Sequence, residues 1–250
     1  MTGEPTLVTE ARRLVHEAAG RSLPIRLLGG VAIWVRASGE ARAALGREYP
    51  DLDFVAHKRQ SRSLRDLLEE QGYVPERVFN ATHGAKRLLY HAPDGAHHVD
   101  VFLDVFEMSH TLDLSSRLEV EEETLPAAEL LLTKLQVAEI NRKDVSDAVM
   151  LLWDHELSEA DGPGLLNVAR AADLCGADWG LYTTITDNLN RARELAPELV
   201  SGADDRQRIG GRIDELRRRL EEAPKSMSWR MRARVGRRVR WYEVPEEVVR

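Results

Sequence analysis

Apolar positions in the first half of the chain follow two different periods. Leu7, Ala11, Leu14, Val15 and Ala18 recur at helical spacing and stop at Gly20, which predicts a helix over 7–19. Ile25 to Leu28 is a short apolar run after Pro24, long enough for a buried strand. Val31 to Val35, beyond Gly29-Gly30, reads as the start of a helix, and Ser38 to Pro50 as loop with a short helical piece. Asp51 to Ala56 reads as a strand, and Ser61 to Gly72 as an amphipathic helix with Leu64, Leu67 and Leu68 on one side. Arg87 to His91 and Val99 to Phe106 read as two strands around Pro93-Asp94-Gly95, whose residues favour a tight turn.

From Glu121 the period is helical throughout. Pro126 suits the first turn of a helix running through Leu130, Leu131, Leu132, Leu135 and Ala138. Further helices are predicted over 145–155, 164–175, 182–195 and 204–222, and no strand is expected before the last ten residues. The fold class is therefore α+β. A mixed domain over 1–120, with a small mixed β-sheet flanked by helices, precedes a helical region over 121–250 with a basic C-terminal segment.

Composition narrows the classes. A chain of 250 residues that is 43% hydrophobic and 31% charged has globular values. The net charge of -7 argues against general coating of nucleic acid and leaves room for a local basic patch. One cysteine, Cys175, rules out an intramolecular disulfide and fits a cytoplasmic protein. The first residues carry neither a basic nor an apolar leader segment, and the apolar runs are too short to span a bilayer, so no membrane partner is expected.

Charge within the apolar runs marks the candidate chemistry. Asp51 and Asp53 leave the same face of a predicted strand. Two like charges held side by side repel, and a cation between them relieves the repulsion. Hard carboxylate oxygens suit Mg²⁺, which commonly shares its shell with substrate phosphates. The bland alternative is a solvated strand end. Asp100 and Asp104 interrupt a second apolar strand, where a buried acid is costly unless it is paired or metal-bound. Phe102 shares their parity, which disfavours a wet face. Asp100 is the preferred third ligand and Asp104 the reserve.

Gly29-Gly30, between strand and helix, lets the backbone approach a bound group. The helix N–H groups beyond it favour an anion, while a simple tight turn would use the same residues. Lys134 is the only charge from Leu130 to Leu135, so it snorkels or points at an anion. Asp144 is placed to cap the following helix, with Asp147 near its positive end. Adjacent His97 and His98 point to opposite faces and read as hairpin surface. Asn80, His83, Lys86 and Arg87, just ahead of the hairpin, read as polar loop residues, with contact of one or two of them to substrate as the alternative. Arg230 to Arg240 holds six arginines, flanked by Trp229 and Trp241, and suits either RNA phosphates and bases or internal counter-charge to an acidic chain.

In order, Leu28-Gly29-Gly30-Val31-Ala32, Asp51-Leu52-Asp53 and Val99-Asp100-Val101 resemble the nucleotidyltransferase superfamily related to DNA polymerase beta. Thr133-Lys134-Leu135 followed by Asn141-Arg142-Lys143-Asp144-Val145-Ser146-Asp147 is similar to the helical part of the AbiEii-type branch, whose members are toxins of toxin–antitoxin pairs and their relatives. The resemblance covers about residues 25–153. It implies a catalytic and metal-binding set of Asp51, Asp53 and Asp100 around two Mg²⁺ ions. It also implies a nucleoside triphosphate held by Gly29, Gly30 and Lys134. The implied reaction transfers NMP to an acceptor hydroxyl, such as the 3′ end of a tRNA, with an antitoxin protein as a further partner. Related proteins instead modify aminoglycoside or lincosamide antibiotics. A catalytically inactive nucleotide- or protein-binding module is the third reading, and three retained acids argue against it. The gap from Gly30 to Asp51 is longer than usual for the family, so the segment from Ala37 to Pro50 is expected to loop out.

Overall fold

The computed structural model describes residues 5–244. Residues 1–4, where no leader segment is expected, lie outside it. Of the strand expected at the chain's end, residues 241–244 are not extended in a sheet, and 245–250 lie outside the described residues.

Along the chain the elements are α1 (Thr6–Gly20), β1 (Ile25–Leu28), α2 (Gly29–Arg36), α3 (Gly39–Leu45), β2 (Asp51–Ala56), α4 (Ser61–Glu70), β3 (Val74–Pro75), α5 (Arg77–His83), β4 (Arg87–His91), β5 (His98–Leu103), β6 (Val105–Glu107) and β7 (Thr111–Asp113). There follow α6 (Ala127–Leu135), α7 (Arg142–Asp154), β8 (Glu156–Ser158), β9 (Leu165–Asn167), α8 (Val168–Ala177), α9 (Trp179–Leu199), α10 (Ala203–Glu222) and α11 (Met227–Val235). The class is α+β. The chain forms two compact units that are not successive blocks of sequence. Of the described residues, one unit gathers 5–36, 47–106 and 112–126, and the other 37–46, 107–111 and 127–244.

The first unit is built on a mixed five-stranded sheet in the order β1-β2-β5-β4-β3. Within it only the β2/β5 pair is parallel; the flanking β1 and β4 run antiparallel to their neighbours. Strand periodicity divides the sheet into two faces. Ile25, Leu27, Leu52, Phe54, Leu88, Tyr90, Val99, Val101 and Leu103 lie on one face and are buried. The amphipathic helices α1 and α4 bury Val8, Ala11, Leu14 and Ala18, and Leu64, Leu67 and Leu68, respectively. The other face carries the polar residues of the site.

Several local details differ from the expected pattern. The strand predicted over 99–106 breaks after Leu103. Asp104 takes a left-handed backbone (φ 61°) and its N–H bonds the Ala56 carbonyl at 2.9 Å, before the chain resumes as β6. Residues 77–83 form α5 rather than loop. This helix buries only Asn80 and has no side-chain cap, so it leaves little periodic signal. Strands β8 and β9, which pair in parallel, have three residues each, too few for a period to register.

The second unit holds the longer helices. Helix α6 is buried along nearly its whole length, and α7, α9 and α10 pack around one another. Helix α7 begins earlier than predicted. Its N-cap is Asn141, which accepts the Asp144 N–H at 3.0 Å, so Asp144 lies in the first turn and is not the cap. Asp147 is fully buried and does not serve the helix end from solvent. Among the described residues no helix is long and apolar enough to cross a membrane.

Candidate active site

The polar face of the sheet is assembled by register. Asp51 pairs with His98 and Asp53 with Asp100 across the parallel β2/β5 ladder, while Leu28 lies opposite Asp53 on β1. On β4, Leu89 lies opposite Asp100, Arg87 opposite Phe102 and His91 opposite His98. Directly opposed residues share a face. Asp51, Asp53, His98, Asp100 and Arg87 therefore project together. Residues far apart in sequence meet here because β2 and β5 lie side by side at the centre of the sheet, which sets the Asp-x-Asp motif beside the later acid.

Gly29 joins β1 to α2 in the left-handed region, at φ 71°, which glycine adopts without the penalty a side chain would incur. The space normally filled by a Cβ is taken by the Asp53 carboxylate: a Cβ on Gly29 would lie 2.2 Å from Asp53 Oδ2. The N-terminus of α2 begins at this point, where its dipole and N–H groups favour negative charge. Gly30 is covered in turn. A Cβ there would lie 2.6 Å from the Tyr49 ring and 2.8 Å from an Arg47 guanidinium nitrogen. Arg47 stacks on Tyr49 with its guanidinium carbon 4.4 Å from the ring centre. The segment expected to loop out is thus split: 37–46 clusters with the second unit, and 47–50 folds over the glycine turn.

Asp100 is 1% exposed and accepts a hydrogen bond from Arg87 Nε at 2.8 Å. The guanidinium carbon of Arg87 lies 4.8 Å from the Phe102 ring centre and 5.6 Å from that of Phe79. Phe102 is buried, in keeping with a face that is not freely wet. Asp104, the reserve ligand, is engaged elsewhere. Its carboxylate meets His57 Nδ1 at 3.3 Å, while His57 Nε2 meets Glu119 at 2.7 Å. His98 is not hairpin surface but part of β5. Its ring sits edge-on to His91, with centroids 4.7 Å apart, and its Nδ1 is buried with no hydrogen-bond partner among the described residues. Asn80 ties α5 to the sheet, because its amide exchanges two hydrogen bonds with the Leu89 backbone, at 3.0 and 2.7 Å.

The donor chemistry of this edge suits a hard divalent cation: three carboxylates on one face, two of them on adjacent strands in register. As they stand, the side chains do not converge. Among the described residues no three His, Cys, Asp or Glu groups form a ready metal cluster. Asp53 lies against Gly29 and Asp100 against Arg87, so both would turn to share an ion.

Lys134 lies in the second unit and finds its anions there. Its ammonium meets Asp144 at 2.7 Å and Asp147 at 3.0 Å, with Asp147 0% exposed. Burial would lower the lysine pKa, but the two carboxylates more than reverse this and hold it above the ordinary value. Glu129, equally buried on the same helix, is met by Arg170 at 3.0 Å. The C-terminal arginines divide into two groups. Arg232 stacks on Trp179 and donates to the Gly236 and Val239 carbonyls, and Arg237 pairs with Asp187 at 2.7 Å. Arg230, Arg234, Arg238 and Arg240 are exposed, the last with its guanidinium carbon 5.9 Å from the Tyr242 ring centre. A cavity of about 340 Å³ in the same unit is lined by Glu139, Asp187, Asn188, Arg191 and Glu194 among others, and by none of the three site acids.

No family model matches the chain. No curated protein matches it either. Among solved structures, it is similar to the solution structure of the antibiotic-resistance factor ANT(2'')-Ia, at 14% identity and a TM-score of 0.42, over 77% of this chain and 95% of that one.

Proposed function

We propose that the chain is a Mg²⁺-dependent nucleotidyltransferase, which moves a nucleoside monophosphate from a triphosphate to an acceptor hydroxyl and releases pyrophosphate. One observation carries this reading. Asp53 stands in register with Asp100 while its carboxylate packs directly on the left-handed Gly29 at the start of α2. A carboxylate pair and an anion-accepting helix end thereby share one edge.

In this reading Asp51, Asp53 and Asp100 hold the two metal ions. When bound, the ions neutralise the triphosphate and polarise the acceptor oxygen. The backbone of Gly29 and Gly30 and the first N–H groups of α2 take phosphate oxygens. Arg47 and Tyr49 then shift off Gly30. Asp100 accepts the proton of the acceptor hydroxyl, whose oxygen bonds to the α-phosphorus as the bond to pyrophosphate breaks. The chain's contribution is positioning and fixed charge. Lys134, already matched by Asp144 and Asp147, enters as a structural counter-ion rather than a triphosphate ligand.

The acceptor we propose is an RNA 3′ end, such as that of a tRNA. The exposed Arg230, Arg234, Arg238 and Arg240 support this choice, since each phosphate contact adds salt-dependent affinity. Such an activity fits a toxin held in check by an antitoxin protein. The rival acceptor is a cationic antibiotic.

The test is transfer of label from α-³²P nucleoside triphosphates with Mg²⁺, offering total tRNA and an aminoglycoside in parallel. Label on RNA that disappears in Asp51→Ala and Asp53→Ala is the expected result. Label only on the small molecule moves the acceptor class, and transfer surviving in both variants removes the assignment.

A further inference from the structure

Asp100 is a carboxylate buried to 1% exposure on a strand whose other face is core, and it accepts from a cation of the same sheet, Arg87, at 2.8 Å. Arg87 is held there by more than charge. It occupies a diagonal cross-strand position, opposite Phe102, and its guanidinium lies near the rings of Phe102 and Phe79. A planar guanidinium stacked on aromatic faces keeps its fork aimed in one direction. Its side chain is 17% exposed, so it has a route toward solvent that Asp100 lacks. The register puts this pair beside Asp53, so the guanidinium faces the carboxylate that a cation shared with Asp53 would use.

Resting on the nucleotidyltransferase reading, we propose that Arg87 is a positioning residue for Asp100: it holds the third acid in place while no divalent cation is bound and yields it when one arrives. Two consequences follow from competition for one carboxylate. Without Arg87, Asp100 stays a buried charge that has lost this cation, which destabilises the fold. Removing the competitor also makes the acid available, so divalent affinity rises by the reciprocal of the fraction of time the acid had been free, about tenfold where Arg87 had occupied it about nine-tenths of the time. A purely structural arginine would give the first effect without the second.

Binding of Mn²⁺ alone, followed by electron paramagnetic resonance without nucleotide, separates these outcomes. Arg87→Met keeps a long side chain between the two rings. It should bind Mn²⁺ about tenfold more tightly than the native chain, and Arg87→Lys by less. The gain should vanish when Asp100→Asn is added. Thermal melting provides a second readout: saturating Mn²⁺ should raise the melting temperature of Arg87→Met more than that of the native protein. Mn²⁺ affinity and metal-induced stabilisation no greater in Arg87→Met than in the native chain would overturn the proposal. If Asp53→Ala still weakens Mn²⁺ binding in that case, the nucleotidyltransferase reading stands without it. Absence of Mn²⁺ binding in the native chain and Arg87→Met alike removes both.

Discussion

Two groups of buried or half-buried charge occupy the two units, and they are organised differently. In the second unit Lys134 lies between Asp144 and Asp147, with both carboxylates within ion-pair distance, on two neighbouring helices. In the first unit Asp51, Asp53 and Asp100 share one face of the sheet, with Arg87 bonded to the most buried of them and Asp53 laid on a glycine. The lysine cluster sets a cation between its carboxylates in well-packed helix. The acidic edge gathers like charge at a tight turn beside a helix N-terminus. Buried charge held by an opposite charge serves the fold, whereas like charge gathered on one face carries a cost that a bound cation would offset.

The two groups should differ most in their response to loss of an acid. Asp53→Ala and Asp51→Ala should each lower nucleotide transfer by at least about 10²–10³-fold, while the melting temperature stays near that of the native protein. A matching collapse of stability would place these acids with the structural charges. At Lys134 the pattern should invert. Lys134→Met leaves the Asp147 carboxylate without this cation and should cost about 3–5 kcal/mol in urea unfolding. A variant that stays stable but loses nucleotide affinity would return Lys134 to the site.

Gly29→Ala tests the turn between the two extremes. Its Cβ would meet Asp53 Oδ2 at 2.2 Å in a left-handed backbone. About 1–2 kcal/mol of stability should therefore go together with most of the transfer activity. The smallest effect concerns pH. The folded pKa of Lys134 lies above its ordinary value of 10.5, so its stabilisation is complete below that pH and is lost only as pH climbs through the raised value. The stability gap between the native chain and Lys134→Met should therefore stay constant from about pH 7 to 10. A gap that narrows across that window would mean that the cluster does not hold Lys134 protonated.

Much of the first unit's fold is legible in sequence because its strands are short apolar runs bounded by Gly, Pro and Asp, and the order of β1, α2 and β2 follows directly from them. The pairing of Asp53 with Asp100 is not, since parallel register is set by long-range packing and leaves no local mark. Arg87 and His98 look like hairpin surroundings in sequence because their place opposite the acids depends on that same register. Parity alone does not separate Asp104 from Asp100: the strand ends at Leu103, and Asp104, in a left-handed backbone, bonds His57 instead. Asp144 and Asp147 carry a helix-start signal that competes with their tertiary role, and only the neighbouring helices bring them to Lys134. The glycine pair stands out as a candidate, but the reason for glycine at position 29, a carboxylate occupying the Cβ space, lies wholly in three dimensions.

The most direct test of the acidic edge as a metal–nucleotide site is anomalous diffraction from crystals grown with Mn²⁺ and a non-hydrolysable nucleoside triphosphate. The expected result is manganese within bonding distance of Asp51 and Asp53, Asp100 released from Arg87 toward the ion, and phosphate density against Gly29 and Gly30. Manganese and nucleotide seated away from these residues, with Asp53 still laid on Gly29, would contradict the account.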